Sequence, residues 1–161
     1  MENRRNFIKK QFPKYGIEFS FSEGLEPSDF EKELKPNTVG IYIETPSNPL
    51  FKIINLKELS QLAKDNKCWT IVDNTFASPV NQNPINFGID MVVHSATKYL
   101  GGHSDALGGV LVTSQTEILE RLHFFQNAVG NVMSPWDAYL VGRGIKTLEL
   151  RVREQSSTAL R

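Results

Sequence analysis

The chain has 161 residues, 40% hydrophobic and 22% charged, the composition of an ordinary soluble globular protein rather than a disordered or fibrous one. At roughly 150 residues per domain it reads as one domain, large enough to bury a core without staples. Eighteen basic side chains balance eighteen acidic ones, so no whole-molecule field favours nucleic acid or an anionic membrane, and the run Arg4, Arg5, Lys9, Lys10 and Lys14 reads as a solvated helix face.

Along the chain, short apolar runs alternate with helical patterns. Ile17–Phe21 is the first expected strand, and Ser28 with Glu31 has the cap-then-acid spacing of a helix start. A strand over Val39–Glu44 precedes a helix opened by Asn55 and Glu58, whose apolar face is Leu56, Leu59, Leu62 and Ala63. Strands follow at Thr70–Asp73, Met91–His94 and Gly109–Thr113. Ser114 with Glu117 opens the next helix, facing inward with Ile118, Leu119, Leu122 and Phe125, and Ser134-Pro135 opens the helical segment that runs towards Arg161. The expected class is α/β: a mostly parallel sheet of about five strands flanked by helices, covered on both faces because several strands are continuously apolar. The strand–helix core spans about 15–125 and the helical segment about 134–161.

Nothing near Met1 reads as a signal peptide, and no apolar run approaches the roughly 20 residues of a spanning helix. The single cysteine, Cys68, cannot form an internal disulfide and reads as a buried thiol. The expected location is the cytoplasm, with no membrane or nucleic-acid partner.

Three polar clusters close three successive strands. They are Glu44-Thr45-Pro46-Ser47-Asn48-Pro49, then Asp73-Asn74-Thr75, then His94-Ser95-Ala96-Thr97-Lys98-Tyr99 followed by Gly101-Gly102-His103-Ser104-Asp105. Asn48, Asp73 and Lys98 are 25 positions apart in turn. If each interval is one crossover, all three meet on the rim where parallel sheets bind ligands. A carboxylate, an amide, two hydroxyls and a lysine together suit pyridoxal 5'-phosphate. Lys98 would form an imine with its aldehyde, and Asp73 would keep its ring nitrogen protonated. Ser95 and Thr97 would donate to its phosphate, and Asn48 would sit near its phenolic oxygen. Other chemistries lack their signatures. No G-x-x-x-x-G-K-[ST] accompanies Asp73, no G-x-S-x-G elbow is present, and His94, His103 and Asp105 match no common metal-ligand spacing, so no metal is expected. Gly101-Gly102 reads as a turn, and Arg143 and Arg151 as helix-surface charges or interface pairs.

These motifs resemble the cysteine/methionine-metabolism (trans-sulfuration) family of fold-type-I pyridoxal-phosphate enzymes, which includes cystathionine γ-synthase, cystathionine β- and γ-lyases and methionine γ-lyase. Ser134-Pro135-Trp136-Asp137 through Arg143-Gly144-Ile145-Lys146-Thr147-Leu148 is similar to the family's helical segment after the lysine. The resemblance assigns Lys98 to the imine and to Cα proton removal, Asp73 to the ring nitrogen, and Ser95 and Thr97 to the phosphate. It assigns Asn48 to the ring oxygen and the substrate, with Thr75 packed near the ring. It implies elimination or replacement at the β or γ carbon of sulfur-containing or O-acylated amino acids, and a dimer of dimers. Family members also carry a phosphate loop, a stacking tyrosine and an N-terminal arm upstream, and a small C-terminal domain with a carboxylate-binding arginine downstream. None of these is recognisable here, so residues 1–161 are expected to form a single partial pyridoxal-phosphate-binding domain. The alternatives are a catalytically incompetent fragment or association module of the family, or another fold-type-I enzyme such as an aminotransferase.

Overall fold

The computed structural model describes residues 2–161. Helix α1 (Glu2–Gln11) runs into a 3-10 turn (Phe12–Tyr15) that Gly16 ends in the left-handed region. Ile17–Phe21, the first expected strand, joins no sheet. Its Phe19 ring packs edge-on against Phe12 at 5.2 Å instead, so a local aromatic pair takes the apolar surface that a neighbouring strand would otherwise cover. Short helix α2 (Pro27–Glu31) has Glu26, not Ser28, as its N-cap, and the Glu26 N–H donates to Asp29 Oδ2 at 3.3 Å.

Among the described residues the sheet has four strands, not five, in the order β1 (Gly40–Glu44), β2 (Trp69–Asp73), β3 (Met91–Ser95) and β4 (Gly109–Val112). The first three are parallel and β4 is antiparallel to β3. A parallel return needs a crossover of a dozen or more residues, usually helical. The stretch between Ser95 and Gly109 is spent on the turn that carries Lys98, so β4 comes straight back. Helix α3 (Leu56–Asp65) provides the β1–β2 crossover; Glu58 N–H donates to Asn55 Oδ1 at 3.3 Å, as the cap spacing implies. Short helix α4 (Ser78–Asn81) and a 3-10 turn (Pro84–Phe87) make the next one.

Two apolar clusters hold the molecule together. In the first, Ile41, Ile43, Val72 and Val92 on one sheet face pack with Leu56, Leu59 and Ala63 of α3 and with Ile89. In the second, Ala96, Leu100 and Ala106 around the lysine turn pack with Leu140, Val141, Leu148 and Val152. These last four lie on α6 (Pro135–Ile145) and α7 (Leu148–Ala159), which follow α5 (Thr116–Val129). Ser134 caps α6 by accepting the Asp137 N–H at 3.1 Å. Helix α5 starts after Gln115, and of its expected inward face only Ile118 is buried. The other sheet face is not covered: Tyr42, Trp69 and Leu111, of one parity in the register, are 53%, 40% and 52% exposed. The apolar continuity of the strands therefore overstates how much of the sheet these residues bury.

Candidate active site

The strand ends converge as the 25-residue spacing implies. Asn48, Asp73, Thr75, Ser95, Thr97 and Lys98 all line one open cavity of about 1000 Å³. Parity puts Glu44, Asp73 and Ser95 on the uncovered side of the sheet, at the carboxyl ends of β1, β2 and β3. That location is where an α/β sheet binds its ligand.

Asp73 is 5% exposed and tightly held. Its Oδ1 accepts both the Thr75 N–H at 3.1 Å and the Thr75 hydroxyl at 2.6 Å. The same Thr75 oxygen accepts the Ser95 N–H at 2.8 Å, which ties β2 to β3 at the rim. On the other carboxylate oxygen, Tyr42 Oη donates to Oδ2 at 3.4 Å. Bonds to its charged form keep a buried carboxylate oriented and able to face a cation. Behind the rim, Asn74 Nδ2 donates to the main-chain O of Gln82 and Gln82 Nε2 to Asn74 Oδ1, both at 2.8 Å, and Gln82 Nε2 also donates to Thr45 O at 3.0 Å. This buried polar knot fixes the chain just after β1 and β2, and the sequence carried no local signal for it.

Lys98 is presented differently. It is exposed, and sits where the backbone leaves helical geometry (φ −96°, ψ −122°) in the wide turn Ala96–Leu100. Gly101 N–H reaches back five residues to Ala96 O at 2.9 Å, and Gly102 N–H reaches Lys98 O at 2.8 Å. One-turn widenings of this kind are common where a helix start carries a functional side chain. Gly102 lies in the left-handed region (φ +75°), as a turn glycine should. A Cβ on Gly144 would lie 2.8 Å from Leu100 O and overlap Gly101 O, so α6 touches the lysine turn backbone to backbone.

The hydroxyls suit an anion. Thr97 Oγ1 accepts the Gly108 N–H at 3.1 Å, while its own proton meets Gly108 O only at 3.4 Å and is available to a closer acceptor. Ser95 Oγ has no hydrogen bond to another described residue. Together with the amine of Lys98 and the fixed carboxylate of Asp73, this donor set fits a phosphorylated pyridine aldehyde. Asn48 lies at the cavity edge, where its N–H donates to Glu44 Oε1 at 3.3 Å. Burial pushes the His94 ring below the usual imidazole range, against the opposing pull of the Asp73 charge. His94 shares the parity of Val92, on the covered face.

The structure places the two arginines, Arg143 and Arg151, differently. Arg143 pairs with Asp105 at 3.7 Å on the surface. Arg151 is half-buried in the cavity wall. No group of three His, Cys, Asp or Glu is arranged for a metal ion, and no helix is long and apolar enough to cross a membrane, among the described residues.

Residues 2–161 match the family model described as "Cys/Met metabolism PLP-dependent enzyme". A probable cystathionine gamma-synthase of Herpetosiphon aurantiacus is 49% identical over 153 residues, covering 95% of this chain and 48% of that protein. A cystathionine gamma-lyase of Bacillus subtilis (strain 168) is 50% identical over 145 residues, covering 90% of this chain and 38% of that one. The crystal structure of cystathionine gamma-lyase from Lactobacillus plantarum complexed with L-serine superposes with a TM-score of 0.88 at 39% identity, covering 91% of this chain and 39% of that one. The chain thus spans less than half the length of these relatives.

Proposed function

Because the chain belongs to the Cys/Met-metabolism family of pyridoxal-phosphate-dependent enzymes, we propose that it contributes the lysine and the ring-nitrogen carboxylate of a trans-sulfuration enzyme. The reaction class is elimination or replacement at the β or γ carbon of a sulfur-containing or O-acylated amino acid. Relatives named as synthases and as lyases resemble it about equally, so the class is assigned at the chemistry they share. One observation carries this: the side chains of Asp73 and Lys98, on separately built supports, line the same cavity with Ser95 and Thr97.

Pyridoxal 5'-phosphate, when bound, supplies a cationic ring that withdraws electrons from the substrate Cα. Lys98 would hold the cofactor through its amine and would take the substrate Cα proton on Nζ. Asp73, held by Thr75, would favour the protonated form of the cofactor's ring nitrogen by charge pairing. Thr75, beside it, would pack near the ring. Ser95 and Thr97 would hold the phosphate with their hydroxyls. Asn48 would bond the ring oxygen and orient the substrate carboxylate. By analogy with the family, the working form is a cytoplasmic dimer of dimers whose partners are small amino-acid substrates.

The test is to load the protein with pyridoxal 5'-phosphate, add cystathionine, and measure release of a 2-oxo acid. Release in the native protein and at least about a hundredfold loss in Asp73→Ala, with cofactor attachment weakened less than turnover, are expected. Equal loss of both would remove Asp73 from its role.

A further inference from the structure

We propose that Arg151 is a positioning residue for Lys98, a cationic brace that sets the wide lysine turn against the junction of α6 and α7. This builds on the assignment of Lys98 above but concerns a residue outside the lysine motif. The Arg151 guanidinium donates to three separate places: Nη1 to Tyr99 O at 2.9 Å, Nη2 to Gly144 O at 2.8 Å, and Nε to Thr147 Oγ1 at 3.0 Å. Tyr99 directly follows Lys98. Gly144 is in the last turn of α6, and Thr147 precedes α7.

Each contact has a physical reason. The last carbonyls of a helix have no partner within it and form the negative end of its dipole, so a cation there is favoured. Gly144 O also accepts the Thr147 N–H at 3.2 Å and the Thr147 hydroxyl at 3.2 Å, so the brace closes a local network. The planar guanidinium presents donors in a fixed fork, which lets one side chain span acceptors on three segments. A lysine at this position offers one nitrogen and cannot span them. Gly102 is shaped to the same group: a Cβ there would overlap the guanidinium.

Holding Tyr99 O fixes the Tyr99–Leu100 peptide, the second after Lys98, and so restrains the turn from which the lysine leaves the backbone. Three donors committed to the protein make Arg151 a poor captor of substrate carboxylate, although it lines the cavity.

The test compares Arg151→Lys and Thr147→Val with the native protein. Amide exchange at Gly101 and Gly102 is measured without cofactor, and pyridoxal-phosphate attachment is measured without substrate, per folded molecule. The expected result is exchange at those two amides faster by about tenfold in Arg151→Lys, with a smaller change in Thr147→Val, while the amides of β1 and β2 keep their protection. Attachment weakens in the same order, and the pH at which the attached cofactor's absorbance changes moves. Unchanged exchange at Gly101 and Gly102 in both variants overturns the brace. So does uniform loosening of the whole molecule, which marks a merely structural role. If the native protein does not take the cofactor at Lys98, the functional assignment fails while the exchange measurement still decides the brace.

Discussion

The two apolar clusters support one cavity but hold its functional groups by different means. Around the sheet, Asp73 stands at the end of a buried strand, with Val72 fully buried beside it and Thr75 fixing its carboxylate. Its position follows from parallel pairing and from side chains packed on α3. Around the lysine turn, the supports are backbone: Gly144 against Gly101, carbonyls gathered by Arg151, and a wide turn with Lys98 at its break. The carboxylate is therefore tolerant of packing changes that leave the strand in place, whereas the lysine depends on close approaches that a single methyl group disturbs.

The largest effect should come from Gly144→Ala. Its Cβ would meet backbone on both Leu100 and Gly101, which cannot turn aside as a flexible side chain would. A loss of about 3 kcal/mol or more in urea unfolding, with failure of cofactor attachment, is expected. Gly142→Ala in the same helix meets nothing within 4 Å and should be neutral or stabilising by up to about 1 kcal/mol. Equal effects of the two substitutions would break the distinction.

Next is Leu59→Ala in the first cluster, where the side chain is fully buried. It should cost about 2–5 kcal/mol, yet leave attachment per folded molecule close to native. Reduced attachment at full folding would show that the clusters are not separate supports.

The smallest effect concerns His94, on β3 and directed to the covered face. Burial lowers its folded-state pKa below 6.5, so the folded protein favours the neutral ring. Its contribution is fully present above about pH 6.5 and declines as pH falls towards the lowered folded value. The melting temperature should fall over that interval, and His94→Gln should flatten the dependence. A profile unchanged by the substitution would remove His94 as its source.

Much of this was readable in the amino-acid order. Four strands, the Asn55 and Ser134 caps, and the convergence of Asn48, Asp73 and Lys98 follow from period, capping chemistry and crossover length, all local or nearly local quantities. What was not readable depends on contacts distant in sequence. Ile17–Phe21 has strand-like residues, but pairing is decided by what lies alongside. The antiparallel return of β4 reflects how the lysine turn consumes its connection. Arg151 looks like any surface arginine until Tyr99, 52 positions earlier, is folded against it. The double use of Thr75, bonded to Asp73 and to Ser95, likewise needs β2 and β3 side by side.

The central claim is that Lys98 and Asp73 serve one cofactor in one cavity. The most direct measurement is to add pyridoxal 5'-phosphate, reduce with borohydride, and map the modified peptide by mass. The cofactor should be fixed at residue 98 in the native protein and in Asp73→Ala, and at no comparable level in Lys98→Ala. Fixation chiefly at another lysine, or undiminished fixation in Lys98→Ala, would contradict it.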